Sequence, residues 1–352
     1  MKLLIFCNHF YPRKGGMETY LLELCTRLVK KKIEVTVICF NTESMAALSM
    51  IKGIEVYRLP YKYLFKRERG SYIFPKKDEE YKWLMTMINS KNYDFVITNT
   101  RFLYSSYMGM KYAQEHNIRH IHIEHGNSFV KQSNPIIKLL SIVYDLTFGK
   151  AVFKNAWKTI GISIACCKFA KRMGARHVEL IYNSIDVKKF QRVKTNLKER
   201  LGINNEKVVT YVGRLIHAKG IHNLLEATKD MPYVKVLIVG SGPYESELKK
   251  IASNNVVFLG ERNQKQIIEI LSITDVFVNP SFSEGLPTSV LEARAMNIPI
   301  VATDVGGTRE ILNGLLINPH DVKDIEYGIL KALHAGTFDW DMNIYKFLEV
   351  LK

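Results

Sequence analysis

The chain reads as an α/β protein built from two doubly wound, Rossmann-like domains. Three observations predict this. Its 352 residues are more than one hydrophobic core organises. Both halves open with a short apolar β-branched run, a glycine-bearing loop and a helical stretch: Lys2 to Phe6 leads through Asn8–Gly16 to a helix at Met17–Lys32, and Lys207 to Gly213 leads to a helix at Ile221–Lys229. Short apolar runs then keep alternating with helical segments to near the end of the chain.

Composition narrows the class. The 47% apolar content is that of an ordinary globular protein, and no run of about 18 uncharged apolar residues is present to span a membrane. The apolar run at the start is too short for a signal peptide and reads as a first strand. Cys7, Cys25, Cys39, Cys166 and Cys167 show no metal-ligand spacing, which suits buried, reduced thiols in a cytoplasmic protein. Charge is the informative quantity. The net +16 lies entirely in residues 1–190, which hold 31 Lys and Arg against 15 Asp and Glu, whereas residues 191–352 balance at 19 each. Such a field favours anionic lipid surfaces, phosphorylated lipids or nucleic acid.

In the first half, strands are expected at Glu34–Phe40, Ile54–Leu59, Asp94–Thr98, Arg119–Glu124, Lys158–Ser163 and Val178–Ile181, and helices at Glu79–Asn89, Phe102–Glu115 and Cys166–Met173. Gly15-Gly16 lets the backbone approach a phosphate at the following helix, or simply makes a turn. Tyr61 to Lys77 interleaves aromatic with basic residues; it suits a membrane interface, or a solvated loop with some packed rings. His125 ends a strand, where ligands of open sheets bind, while His120 and His122 share one strand face. Pro135 to Trp157 reads as one or two amphipathic, partly basic helices, a core element or an acceptor or membrane face. Gln191 to Arg200 is polar and reads as the interdomain linker.

In the second half, Arg214 and Lys219 flank a strand-to-helix loop, where two cations suit a pyrophosphate or merely face solvent. Strands are expected at Val234–Val239 and Val256–Leu259, with helices at Tyr244–Ile251 and Gln264–Leu271. Gly240-Ser241-Gly242-Pro243 is a glycine turn without the third spaced glycine of a dinucleotide fingerprint. Asp275 to Pro280 is a buried strand, and Ser289 to Met296 a helix started by Pro287 and Thr288. Free amides near Thr288, Ser289 and Val290 favour a phosphate. Glu284 in the loop can accept from sugar hydroxyls, and Glu292, one turn into the helix, can reach a ribose; equally, they read as a loop charge and a solvated helix residue.

Glu284-x7-Glu292, followed by Asn297 to Gly307 and Glu310, resembles the C-terminal half of retaining glycosyltransferases of the GT-B fold, family 4. Asn297 replaces the usual glycine, the next best residue for a left-handed helix cap. Gly15-Gly16-Met17-Glu18 resembles the family's Gly-Gly-x-Glu opening, whose loop faces the donor diphosphate. His125-Gly126 resembles its His-Gly loop, with the imidazole beside the donor sugar. Tyr182 to Phe190 resembles its Asn-Gly-Val-Asp-x-x-x-Phe segment, with Ser184 for glycine. Gly213-Arg214-Leu215 to Lys219-Gly220 resembles its donor-phosphate clamp, and Gly260-Glu261-Arg262 the segment that contacts the base. The chain departs from the pattern by being shorter after Leu312 and after Ala335; Asp341 to Leu351 resembles the family's closing helix.

The resemblance implies a GT-B architecture: residues 1–186 form an acceptor domain and residues 187–336 a nucleotide-sugar domain, facing each other across a cleft, with residues 337–352 crossing back. It implies retaining transfer of a hexose or N-acetylhexosamine from a UDP- or GDP-sugar to a saccharide or anionic lipid-linked acceptor, in polysaccharide or glycoconjugate synthesis. Arg214, Lys219 and the helix start at Thr288 would stabilise the leaving diphosphate by preorganised charge, without metal or cofactor. Glu284 and the backbone of Gly285 and Leu286 would hold sugar hydroxyls, Glu292 the ribose and Glu261 the base, and His125 would orient or polarise the sugar. The basic first half adds the expectation of peripheral contact at the inner face of a membrane. The other classes carried are a GT-B-like epimerase or phosphorylase and a non-catalytic basic binding protein; no nucleic-acid motif supports a nucleic-acid partner.

Overall fold

A computed structural model describes residues 1–13, 15–65, 72–129, 135–312 and 315–333. The expected closing helix, the segment around Asn313-Gly314 and residues Lys66, Arg67 and Arg69 of the aromatic–basic stretch lie outside the described residues. The chain divides into two compact units, Met1–Asn183 and Ser184–Lys352. Among the described residues no helix is long and apolar enough to cross a membrane.

The first unit runs β1 (Lys2–Phe6), α1 (Gly16–Lys30), β2 (Glu34–Phe40), β3 (Leu48–Ile51), β4 (Ile54–Leu59), β5 (Tyr61–Phe65), β6 (Tyr72–Pro75), α2 (Glu79–Asn89), β7 (Phe95–Asn99), α3 (Tyr104–Glu115) and β8 (Arg119–Glu124). It continues through α4 (Pro135–Tyr144), a π turn (Asp145–Gly149), α5 (Lys150–Asn155), β9 (Lys158–Gly161), α6 (Ile164–Arg172) and β10 (Val178–Leu180). Its sheet has the order β10-β9-β8-β7-β1-β2-β4-β3 and is parallel throughout except for β3 against β4. Leu3 pairs with Val35 on one side and Phe95 on the other, so the strand order reverses between β1 and β7. Ligands of open sheets bind at such a reversal. Leu4, Phe6, Ile38, Phe40, Tyr57 and Val96 bury one sheet face against Leu84 and Ile88 of α2 and Tyr112 of α3.

The short strand β3 was not evident in the sequence, and the described parts of the aromatic–basic stretch, Tyr61–Phe65 and Tyr72–Pro75, pair as antiparallel strands. These strands partly serve packing: Ile73 is buried and the Phe74 ring lies 4.6 Å from that of Tyr104. All five cysteines are free thiols; Cys7, Cys25, Cys39 and Cys166 are buried as expected and Cys167 is partly exposed, and burial pushes Cys25 and Cys39 up to about 12.

The second unit contains α7 (Leu197–Arg200), β11 (Lys207–Val212), α8 (Ile221–Thr228), β12 (Val234–Val239), α9 (Glu245–Ile251), β13 (Val256–Gly260), α10 (Gln264–Ser272), β14 (Val276–Asn279), α11 (Thr288–Ala295), β15 (Ile300–Thr303), α12 (Thr308–Ile311), β16 (Leu315–Ile317) and α13 (Val322–Leu333). The parallel sheet has the order β13-β12-β11-β14-β15-β16, the 3-2-1-4-5-6 order of dinucleotide folds, with its reversal between β11 and β14. Both faces are covered. Val209, Tyr211, Val236 and Val278 meet α8 and α13, and Val208, Leu237 and Val239 meet Ile270 of α10. The segment expected as a linker is part of this unit. Leu197 is buried in the second cluster, and Thr195 and Arg200 both bond Glu269, at 2.7 and 3.0 Å. Asn297 sits just past α11 with φ 54°, the left-handed cap its residue type suggests.

Candidate functional site

The second unit assembles its polar residues where its strand order reverses. The loop after β11 carries Arg214 and Lys219, and the loop after β14 carries Glu284. Backbone contacts that only glycine permits bring these loops together. A Cβ on Gly220, whose φ is 61°, would lie 2.1 Å from the Pro280 carbonyl oxygen, and one on Gly240 (φ 132°) would lie 1.9 Å from that of Gly213. The amides of Phe282, Leu215 and Gly307 donate to the carbonyls of Ala218, Ser241 and Gly285, each at 2.9 Å. Four successive strand ends are thus stitched into one hydrogen-bonded edge.

On that edge Lys219 Nζ lies 2.6 Å from Glu284 Oε1. Ser281 Oγ lies 2.7 Å from the same oxygen and also 2.7 Å from Asn279 Oδ1, so its single proton serves one at a time. Asn279 Nδ2 adds a 3.4 Å contact to Oε1, and Thr303 Oγ1 donates to the Ser281 carbonyl. Glu284 Oε1 is therefore fixed, while Oε2 has no partner among the described residues. The two charges expected to serve diphosphate and sugar separately are joined to each other here.

Arg214 is exposed, and its guanidinium pairs with no described residue; its carbonyl accepts from Tyr211 Oη at 3.1 Å. Gly285 is half-buried, Leu286 is buried and Thr288 opens α11, whose first amides have no intrahelical acceptor. Glu292, half-buried on α11, has no hydrogen bond to a described residue, and burial raises its carboxyl to about 7. Glu261 is exposed beyond β13, on a loop tied in by the Gly240 amide donating to the Gly260 carbonyl at 2.9 Å.

A histidine cluster escaped the sequence reading. His320 stacks on Phe282 at 4.0 Å, and His217 stacks on His222 at 4.8 Å, with Tyr244 at 5.5 Å from His217. Burial, then His217 and His320, lowers the His222 imidazole. His217 and His222 flank the start of α8, while Tyr244, Phe282 and His320 come from three other segments, so no single spacing displays the cluster. Among the described residues, no three of His, Cys, Asp and Glu meet in an arrangement that could hold a metal ion.

In the first unit, Gly15 precedes α1 and Gly16 begins it. Glu18 is buried and turns back over this start: a Cβ on Gly15 would lie 2.2 Å from Glu18 Oε2. His125 follows β8, its ring edge-on to Tyr20 of α1 at 5.1 Å, so the glycine loop and the histidine loop adjoin. Burial is the main cause that lowers the His125 imidazole to about 4, and its Nε2 is enclosed without a hydrogen-bond partner among the described residues. His120 and His122 do share a face: both rings meet Thr98 Oγ1, at 2.7 and 2.8 Å.

What holds the His125 loop is a fully buried charge network that the sequence did not reveal. Arg101 Nη1 lies 3.0 Å from Glu124 Oε1, and Nη2 lies 3.0 Å from Asp145 Oδ2 and donates to the Ser128 carbonyl at 2.7 Å. The guanidinium stacks over Phe169 at 4.3 Å. Glu124 also accepts from the Gly126 amide at 2.6 Å and meets His122 Nε2 at 3.2 Å. Burial alone would raise the Glu124 carboxyl, but Arg101, His122 and the Gly126 amide hold it at about 2. For Asp145, burial outweighs Arg101 and the carboxyl is raised. Thr100, at φ 65°, occupies a region costly for a β-branched residue and leads directly into Arg101.

Two doubly wound units with their polar loops at the strand-order reversals are the architecture of the GT-B class. The chain belongs to the glycosyltransferases of family 4 and group 1: residues 14–189 match the model described as Glycosyltransferase Family 4, and residues 193–346 match Glycosyl transferases group 1. An uncharacterized glycosyltransferase of Methanocaldococcus jannaschii is 28% identical, over 96% of this chain and 90% of that protein. The GDP-mannose-dependent monoacylated alpha-(1-6)-phosphatidylinositol monomannoside mannosyltransferase of Corynebacterium glutamicum is 23% identical, over 94% and 88%. In three dimensions, the Anabaena protein HepE, solved in complex with UDP-glucose, superposes with a TM-score of 0.73 at 20% identity, covering 95% of this chain and 90% of that one.

Proposed function

We propose that the enzyme transfers a hexose or N-acetylhexosamine, with retention, from a UDP- or GDP-sugar to a lipid-linked or saccharide acceptor in cell-surface glycoconjugate synthesis. The observation that carries the reading is the convergence of Arg214, the Lys219–Glu284 pair and the start of α11 at the strand-order reversal of the second unit. Two cations and a helix start suit a diphosphate, and a carboxylate with one uncommitted oxygen suits sugar hydroxyls. The GDP-mannose named for one relative and the UDP-glucose held by one structural neighbour support a nucleoside-diphosphate sugar as donor. The phosphatidylinositol mannoside named for that relative supports a lipid-linked acceptor.

In this reading the bond from the anomeric carbon to the β-phosphate oxygen breaks as the bond to the acceptor hydroxyl oxygen forms. The hydroxyl proton passes to the departing diphosphate, whose charge Arg214, Lys219 and the α11 amides stabilise. Lys219 moves part of its interaction from Glu284 to phosphate, and Glu284 turns to the sugar. Glu292 holds the ribose and Glu261 the base. His125, neutral above about pH 4, orients the sugar as a hydrogen-bonding group and not as a cation.

A thermal-shift screen of UDP, GDP, ADP and their sugars tests this on the wild type, Arg214→Ala and Glu292→Ala. One nucleoside diphosphate should raise the wild-type Tm and raise that of the variants much less. Stabilisation that both variants retain in full would refute the donor site.

A further inference from the structure

The helix α4 is inside out. A helix on a globular surface turns its apolar stripe to the core and its polar face to water. On α4 and the π turn the inward positions are Ser141, Asp145 and Gly149, all buried, spaced four residues apart. Asp145 is the anchor, through its ion pair with the buried Arg101. The close pass of Gly149 against Asp145 and Arg101 completes the seat, a Cβ there lying 3.3 Å from Asp145 Oδ1. The outward positions are aliphatic: Ile136 is 69% exposed, Leu139 62%, Leu140 54%, Val143 49% and Leu146 48%. A contiguous apolar stripe of this kind marks an interaction surface.

Charge around the stripe says what covers it. From His125 to Val178 the sequence has nine Lys and Arg and a single acidic residue, Asp145, which is buried. Lys138 lies within the stripe and is exposed. In sequence the aliphatic ridge is thus flanked by cations, and the first exposed carboxylate after it, Glu179, is paired with Lys158. A protein partner would ordinarily be met by charges of both signs. An anionic leaflet is met by this combination of aliphatic insertion and uniform positive charge.

We propose that the outward face of α4 and the π turn seats on an anionic lipid leaflet, Leu139, Leu140 and Val143 entering the acyl boundary and the surrounding lysines meeting lipid phosphate. This rests on the reading of a lipid-linked acceptor and names the surface that brings the enzyme to it.

The test is co-sedimentation of the full chain with vesicles of phosphatidylcholine alone and with phosphatidylglycerol added. It compares the wild type with Leu139→Glu/Leu140→Glu, and thermal melting and light scattering are recorded for each. The wild type should pellet with the anionic vesicles. The variant, altered only on an exposed face, should melt as the wild type does and lose at least about tenfold in partitioning, because two acyl-seated side chains are replaced by charges the leaflet repels. A folded variant that pellets like the wild type would overturn the assignment to α4 while the membrane reading stands. A wild type that pellets with neither vesicle would overturn both. A wild-type dimer that the variant abolishes would assign the face to a second copy of the chain and overturn the lipid proposal.

Discussion

The two loops that carry the candidate chemistry are held in opposite ways. The His125 loop is pinned by Arg101, Glu124 and Asp145, whose side chains are wholly excluded from solvent. The Glu284 loop is pinned by backbone, through glycines at 220 and 240 and amide bonds between loops, and its charges are mostly buried but keep an opening to solvent. The first arrangement spends ionised groups on structure. The second leaves Lys219, Arg214 and one oxygen of Glu284 available to a ligand. A wholly buried ion pair and one that keeps a small opening to solvent are thus different devices, and only the environment separates them.

The largest effect expected from this contrast is that of Arg101→Met. It leaves Glu124 and Asp145 buried without their cation, and should cost about 3–5 kcal/mol in urea unfolding of the full chain. Acidification probes the same network. Glu124 is held at about 2 against an ordinary 4.5, so its contribution is fully present above 4.5 and is lost as pH falls towards 2. Asp145, raised by burial, contributes with the opposite sign. Arg101→Met should lack the Glu124 component of the acid transition, and an unchanged acid limb in the variant would count against the network.

Lys219→Ala should do the reverse. Glu284 keeps its contacts with Ser281 and Asn279 and a small opening to solvent, so the loss of stability should be about 1–2 kcal/mol, well below that of Arg101→Met. The nucleotide-dependent rise in Tm should vanish, and transfer should fall by roughly 10²–10³-fold, as when one preorganised group facing developing charge is removed. If Lys219→Ala destabilised the chain as much as Arg101→Met and left nucleotide binding intact, the distinction between the two loops would be gone.

Gly126→Ala comes next in size. Its Cβ would lie 2.7 Å from Arg101 Nη1 and 2.9 Å from Glu124 Oε1, and neither atom can give way without opening the network. A loss of about 1–3 kcal/mol is expected. A melting curve superposable on that of the wild type would show the network to be softer than its geometry implies.

Which parts of this were legible in the sequence follows from range. The alternation of apolar runs and helical periods gave both sheets, because local pattern sets strand and helix. The loop residues Arg214, Lys219 and Glu284 were legible because each sits at a strand-to-helix junction flagged by Gly213, Gly220 or Gly285. Arg101, Glu124 and Asp145 were not, because they are 23 and 44 residues from Arg101 and ordinary charged residues locally; only the fold makes them buried partners. The one local hint was Glu124 at the end of an apolar strand. The inverted face of α4 was hidden for a related reason: periodicity shows that a helix has two faces, but Ser141 and Gly149 turn inward only because Asp145 must reach Arg101.

The smallest expected effect belongs to Glu292, on the side of the contrast where groups are left available. Burial raises its carboxyl to about 7, above an ordinary 4.5, so ionising it opposes folding: stability from this group is present below 4.5 and lost as pH rises through 7. A ribose hydroxyl that donates to the carboxylate favours the ionised form, so nucleotide binding should strengthen as pH rises through 7. Glu292→Gln should flatten both trends at once, raising Tm above pH 7 by a few degrees and weakening nucleotide binding there by about three- to tenfold. Measuring the nucleotide-induced Tm shift at pH 6 and pH 8 on the two proteins separates the outcomes. A variant that keeps the wild-type pH dependence of binding would move the ribose contact away from Glu292, and one that loses binding equally at both values would make Glu292 a packing residue of α11 and not a titrating ligand group.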